Sequence, residues 1–357
     1  MTARYGHGLV LGKFYPPHAG HHHLVRTAAA RCERLTVLVC AASVESVPLE
    51  QRVAWMREVH PDVWVVGAVD DIAMDLHDPD VWAAHMAVFR AAVPERLDAV
   101  FTSEAYGDEL ARRFGARHVS VDVSRSLHPV SGTAVRKDPV GSWEFLAAPV
   151  RAALTRRVVV LGAESTGTTT MARALTEHYR ARGGVWAGTL CVDEYGREFS
   201  ERKLAELRAD RPGAEWAEVA FASEEFPVIA REQRRREDAA ARLGSPVLFC
   251  DTDAFATTVW HERYTGGSYP VAPEPAGQHL WLLTDHEGVA FEDDGLREGE
   301  ELRPWMTERF RTELIRTGRD FRFLTGAHDK RLAEAVAAVD ALLGAGWHFT
   351  DPLPEKR

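Results

Sequence analysis

Cysteine is scarce in this 357-residue sequence, which has four. Cys32, Cys40, Cys191 and Cys250 make no C-x-x-C pair and lie far apart or within apolar runs, which argues against disulfides and zinc and for buried thiols in a reducing compartment. Positive charge is short too: the formal net charge is −10, so nothing general draws the chain to nucleic acid or an anionic membrane, and any phosphate-binding surface must be local. Lysine is the rarer cation; Lys13, Lys137, Lys203 and Lys330 are among the few, and arginine supplies nearly all the rest. No apolar run approaches the ~18 residues needed to span a bilayer, and "MTARYGHGLVLGKF" is too short in its apolar part for a signal peptide. These absences predict a cytoplasmic protein that engages neither nucleic acid nor membrane. Low-complexity segments and short repeats are also missing.

What is present is a chain able to bury a core, 45% hydrophobic and 27% charged, with length enough for two domains. Short β-rich runs, "GLVLGKF", "RLTVLVCAAS", "DVWVVGAVDD", "LDAVFTSEAYG" and "RHVSVDV", alternate with helical spacing such as "HHLVRTAAARCER" and "LEQRVAWMREVH". That alternation predicts a parallel sheet covered on both faces. After Pro139 and Gly141 a helical linker leads into a fresh strand, "RRVVVLGAE", and then "VWAGTLCVDE", "PVLFCDTDA", "HLWLLTDHEG" and "DFRFLTG". Residues 214–244 read as long helical material. The expected fold class is therefore α/β, with two doubly wound parallel-sheet domains, 1–150 including a linker helix and 151–357.

The stretch "GKFYPPHAGHHHLV" joins a strand to a helix. Open α/β sheets bind ligands at the carboxyl ends of strands, and a helix N-terminus presents unpaired N–H groups to phosphate. His18 and His21 flank Gly20 there, each able to donate to a phosphate oxygen. Pro16 and Pro17 stiffen the turn, while Gly12 and Gly20 permit close approach. His18 and His22 share a helix face, as a metal pair would, but no carboxylate or thiol lies near in sequence. His22 and His23 read as packing or surface residues of the first turn.

"GKFYPPHAGH" resembles the G-x-F-x-P-x-H-x-G-H signature of the HxGH nucleotidyltransferases, and "VSGTAVR" is similar to their second signature, I-S-x-T-x-x-R. The resemblance implies a Rossmann-like domain in which a nucleotide's phosphate attacks the α-phosphate of ATP and expels pyrophosphate, with Mg²⁺ assisting. It implies a clamp of His18, His21 and Arg136, with Gly12, Lys13, Phe14, Gly20, Ser131 and Thr133 around the ATP. "PLEQRVAWMREV" resembles a substrate-side segment and makes Arg52 and Trp55 substrate candidates, although an ordinary amphipathic helix accounts for it equally well.

"VVVLGAESTGTTTMARAL" is strand, glycine loop and helix. Gly162 and Gly167 have the spacing of G-x-x-x-x-G-K-[ST], Thr169 can offer a hydroxyl to Mg²⁺, and Thr170 follows it into the helix. Thr168 stands where that pattern has lysine, so the main-chain cradle survives and the point charge does not. Arg173 or an arginine from a distant loop would have to replace it. Asp251 and Asp253 close a strand in the manner of Mg²⁺-holding carboxylates; Asp193 and Glu194 close another, with Arg197 beside them, and the base that deprotonates a hydroxyl is left open among Asp193, Glu194 and Asp253. "EDDGLREGEELR" resembles a lid carrying Arg297.

In this order the two halves resemble the NadR-type bifunctional enzymes of NAD salvage. The resemblance implies phosphorylation of ribosylnicotinamide by a P-loop kinase-like domain and adenylyl transfer to nicotinamide mononucleotide by the domain before it, both fed by ATP. Strand one begins almost at Met1, so no DNA-binding helix-turn-helix is expected. A second reading keeps the adenylyltransferase and makes the lysine-less domain a nucleotide sensor or scaffold. A third, a non-enzymatic binder of pyridine nucleotides, is opposed by the two intact signatures. A homo-oligomer is compatible with the sequence, which leaves the oligomeric state open.

Overall fold

A computed structural model describes residues 4–124, 126–267, 277–292 and 299–356. The chain forms two compact units, one of Met1–Val150 with Trp347–Arg357 and one of Arg151–Gly346. The division departs from the sequence-based boundaries at the far end, because the last eleven residues pack with the first unit and not the second.

In the first unit the elements run β1 (Tyr5–Gly12), α1 (Ala19–Arg31), β2 (Cys32–Ala41), α2 (Leu49–Val59), β3 (Trp64–Val69), β4 (Met74–Asp75), α3 (Pro79–Ala92), β5 (Ala99–Thr102), α4 (Gly107–Phe114), β6 (Arg117–Ser120) and α5 (Gly132–Lys137). The sheet order is β3-β2-β1-β5-β6, with every pairing parallel. Strand periodicity splits the apolar run in two: Val10, Val37 and Val39 pack with Phe14, Val25 and Phe101 on one face. Leu9 and Leu38 pack with Trp82, Phe89 and Val100 on the other. Each such aliphatic side chain contributes about 1.5–3 kcal/mol. Both faces of β1 are thus occupied, and the carboxyl end of the strand is where its loop opens.

Helix α6 (Ala148–Leu154) leads into the second unit: β7 (Arg156–Gly162), α7 (Thr168–Arg180), β8 (Leu190–Val192), α8 (Tyr195–Asp210), α9 (Glu225–Leu243), β9 (Val247–Asp251), α10 (Ala256–Thr265), β10 (Gln278–Thr284), α11 (Arg303–Arg316), β11 (Phe321–Leu324) and α12 (His328–Gly344). Its parallel sheet has the order β11-β10-β7-β9-β8, again with a core on each face. The expected strand "VWAGTLCVDE" is shorter than its pattern, since Gly183 and Gly184 take φ of 70° and 56° and a 3-10 turn fills Gly184–Gly188. The expected long helix begins only at Glu225. Aromatic packing wins over helical spacing before that point, with Trp216 buried and Phe221 set against Tyr264 at 4.5 Å.

After α12 the chain rejoins the first unit, where β12 (Glu355–Lys356) pairs in parallel with β4. No helix among the described residues is long and apolar enough to cross a membrane.

Candidate active sites

The first site lies at the carboxyl end of β1, in a cleft of about 390 Å³. Phe14 holds φ at 47°, a left-handed conformation that costs a non-glycine residue energy, and its ring packs on His21 at 4.9 Å. His18 is the N-cap of α1 in extended backbone and is buried. Its backbone N–H donates to His21 Nδ1 at 3.3 Å, and the two rings stack with centroids 3.8 Å apart. A Cβ at Gly20 would stand 3.2 Å from the His18 ring, so glycine there makes room for the stack. Gly12, Lys13 and Gly20 line the same cleft.

Helix α5 supplies the other side. Ser131 caps it, Oγ accepting from the Ala134 N–H at 3.1 Å. Arg136 donates to the Tyr15 carbonyl at 2.7 Å and to Thr133 Oγ1 at 3.2 Å. Burial lowers the pKa of Arg136, while Tyr15, Glu45 and Asp351 oppose that fall, and the group stays cationic. His18, His21, Ser131, Thr133 and Arg136 therefore share one cleft despite the long sequence interval between the two motifs.

Arg52 does not reach it as a substrate residue would. Its side chain is wholly buried: Nη1 donates to Glu45 Oε2 at 2.6 Å and the Lys13 carbonyl at 3.1 Å, and Nε and Nη2 donate to the Val47 carbonyl. It ties α2 to the loop after β1. Trp55 is buried in α2, outside the cleft lining. His22 pairs with His60 at 2.9 Å, and burial brings their pKa values down to about 3 and about 4. Both rings are neutral packing groups, and the described residues contain no cluster of three or more His, Cys, Asp or Glu side chains suited to a metal.

Three features of the cleft carry no local sequence signal. Tyr15 sits between the Arg52 and Arg136 guanidinium groups, 4.2 and 4.9 Å from its ring centre. Asp70, after β3, accepts from His85 of α3 at 2.7 Å. Pro352, Leu353 and Glu355 complete the lining from the far end of the chain.

The second site surrounds the loop between β7 and α7. Gly167 has φ of 86°, and a Cβ at Gly162 would fall 2.2 Å from Thr284 Oγ1, so each glycine answers a backbone or packing demand. Thr169 Oγ1 donates to Asp251 Oδ2 at 2.5 Å, and the Thr168 hydroxyl reaches the same carboxylate. Burial raises the Asp251 pKa, and its Oδ1 is enclosed without a hydrogen-bond partner. A hydroxyl beside an under-satisfied carboxylate fits a hard divalent cation. Asp253 does not: it is buried, accepts from Ala256 N–H and Trp281 Nε1–H, and holds the turn into α10. Thr168, Thr169 and Thr170 also border a groove of about 440 Å³ along Gly288–Ala290 and Ala327–His328.

Beside the loop, Trp216, Phe221, Trp260 and Tyr264 wall an aromatic cleft that Glu194 and Arg197 also line. Asp193 is absent from that lining; it is exposed and 3.4 Å from Arg173 Nη2. Arg297 lies outside the described residues. An arginine not singled out in the sequence, Arg263 of α10, is buried against the loop and pairs with Glu164 inside it.

Comparison with known proteins agrees with this division. Residues 9–138 match the cytidylyltransferase-like family and residues 157–331 the AAA domain family. The trifunctional NAD biosynthesis/regulator protein NadR of Escherichia coli strain K12 is 24% identical over 365 residues, 94% of this chain and 83% of the relative. The chain is thus a NadR homologue along nearly its whole length. Two solved NadR structures share its fold. One, in complex with NR, has a TM-score of 0.69 at 21% identity and covers 96% of this chain and 97% of its own. The other, in complex with NAD and AMP-PNP, has a TM-score of 0.67 at 21% identity and covers 98% and 99%. Within the NadR fold, the histidine cleft falls in the nucleotidyltransferase-like half and the glycine loop in the AAA-like half.

Proposed function

We propose that this NadR homologue makes NAD from ribosylnicotinamide in two ATP-dependent steps. The second unit phosphorylates the ribosyl 5′-hydroxyl, and the first transfers adenylate to the resulting mononucleotide. The observation that carries the reading is the stacked His18–His21 pair, brought into one cleft with Arg136 through the Tyr15 loop.

In the adenylyl step a phosphate oxygen of nicotinamide mononucleotide bonds to the α-phosphorus of ATP, the α–β bridging bond breaks, and pyrophosphate leaves with the electron pair. No protein nucleophile is needed. His18, His21, the first N–H groups of α1 and Arg136 hold the triphosphate and stabilise the charge that moves onto the leaving group. Lys13, half-exposed on the cleft, adds a second cation.

In the kinase step Glu194 takes the hydroxyl proton as that oxygen bonds to the γ-phosphorus, the bond from that phosphorus to the β–γ bridging oxygen breaks, and ADP leaves with the electron pair. Of Asp193, Glu194 and Asp253, the last two line the aromatic cleft, but Asp253 is buried and committed to the Ala256 and Trp281 N–H groups, and Asp193 turns to Arg173. The aromatic walls suit a flat pyridine ring. Thr169 and Asp251 would hold Mg²⁺, which neutralises charge on the β- and γ-phosphates. Arg263, at the loop, is the cation we assign to the role left open by Thr168.

Product analysis of the purified chain with ATP and Mg²⁺, given ribosylnicotinamide or nicotinamide mononucleotide separately, tests the proposal. NAD from both is expected. NAD from the mononucleotide alone would reduce the second unit to a sensor or scaffold, and NAD from neither would overturn the proposal.

A further inference from the structure

We infer that Thr350–Lys356 is a working wall of the adenylyltransferase cleft, closing the half that receives the acceptor mononucleotide. The inference rests on the activity assigned above to the first unit.

The segment is fastened at both ends. At the near end three groups close a ring: Ser46 Oγ–H donates to Tyr15 Oη at 2.7 Å, Tyr15 O–H donates to the Thr350 carbonyl at 2.8 Å, and Thr350 N–H donates to Ser46 Oγ at 3.1 Å. Such a cycle polarises each of its members in turn. Phe349 packs edge-on to the Tyr15 ring at 6.0 Å. At the far end β12 pairs with β4, Leu76 N–H donates to the Lys356 carbonyl at 3.1 Å, and Lys356 Nζ is 3.5 Å from Asp75. Between the anchors, Pro352 and Leu353 are half-buried on the cleft beside Ile72 and Met74. Pro352 and Pro354 fix φ and carry no N–H, which holds "DPLP" extended with little entropy left to lose.

Topology says which substrate meets this wall. β1 is the central strand, with β5 and β6 on one side and β2 and β3 on the other. Arg136 is carried by α5, which follows β6, so the arginine of the triphosphate clamp comes from the β5–β6 side, while His18 and His21 stand at the end of the central strand. The segment pairs with β4, which follows β3, and lies on the opposite side with Asp70 and His85. Tyr15 joins the two halves, because its carbonyl accepts from Arg136 while its hydroxyl holds Thr350. An aliphatic patch across the central strand from Arg136 suits the ring and ribose of the mononucleotide.

The test compares the full chain, the full chain with Leu353→Asp, and a chain stopped after Gly346. Loss of the aliphatic wall is expected to raise KM for nicotinamide mononucleotide about tenfold, with kcat and KM for ATP held within about threefold. Phosphorylation of ribosylnicotinamide should not change, and a synthetic peptide of residues 347–357 should restore the shortened chain. An unchanged KM for the mononucleotide in folded Leu353→Asp would overturn the inference. So would a joint fall of kcat and worsening of both KM values that tracks thermal stability, since that marks mere scaffolding. If the full chain makes no NAD, the assigned activity fails by itself. Equilibrium binding of the mononucleotide to the same three chains then decides the wall, which must weaken about tenfold when altered.

Discussion

Lowering the pH from 7.5 to 5 sets the His22–His60 pair against the first unit. One ring donates to the other at 2.9 Å, His22 Nε2 is enclosed with no partner, and Arg26 and His18 add unfavourable positive charge. Burial, the largest cause, brings His22 from 6.5 to about 3 and His60 to about 4. With folded pKa values below the unfolded ones, the unfolded chain binds the extra protons, so stability is full above pH 6.5 and is lost as pH falls from there toward 4. At pH 5 His22 forfeits about 2 kcal/mol and His60, which solvent screens more, less than that, together a large share of an ordinary domain's stability. Because His22 follows His21 directly on α1, the same loss loosens the phosphate clamp. The assay is urea unfolding followed from pH 7.5 to 5 for the natural chain and for His22→Gln with His60→Gln, alongside NMR titration of the imidazole rings. The double variant should lose most of the acid-dependent slope. Two rings that titrate near 6.5 in the folded chain, or equal slopes for both chains, would refute the reasoning.

Asp251→Asn should cut Mg²⁺-dependent phosphorylation of ribosylnicotinamide by about 100-fold or more with little change in melting temperature. Asp253→Asn should instead cost about 1–3 kcal/mol of stability, because it disturbs buried acceptors of the Ala256 and Trp281 N–H groups. Reversed outcomes would exchange their roles. Thr168→Lys is expected to leave the kinase rate within about threefold if Arg263, paired with Glu164 at the loop, fills the role assigned to it; a rise above about tenfold would show that the natural loop lacks its cation.

Both sheets were legible because their strands are near-continuous apolar runs separated by helical spacing, and the two phosphate sites because strand, glycine turn and helix are contiguous in sequence. The joining of His21 to Arg136 was readable only through the resemblance, since nothing local connects "HAGH" to "VSGTAVR". Arg52 was misread because a buried arginine and a substrate-binding arginine look alike on an amphipathic helix; the difference is Glu45 and two carbonyls that only tertiary structure assembles. Asp253 departs from its expected role for a related reason, a partner 28 residues away on β10. The far segment gave no signal at all. "DPLPEK" has the composition of a loop, and its importance comes from Tyr15 and β4, which are hundreds of residues earlier.

That segment also bears on how the protein is made. Since Trp347–Arg357 belongs with Met1–Val150, the kinase-like unit is an insertion within the nucleotidyltransferase-like one, and not an appendix to it. A ribosome finishes the inserted unit before it releases the residues that close the first cleft, so translation itself sets the order in which the two become complete. A nascent or prematurely ended chain would have its phosphate-making half in place before its NAD-making half could bind mononucleotide fully. Cutting the gene at Val150 to separate the activities would for the same reason yield an adenylyltransferase without one wall.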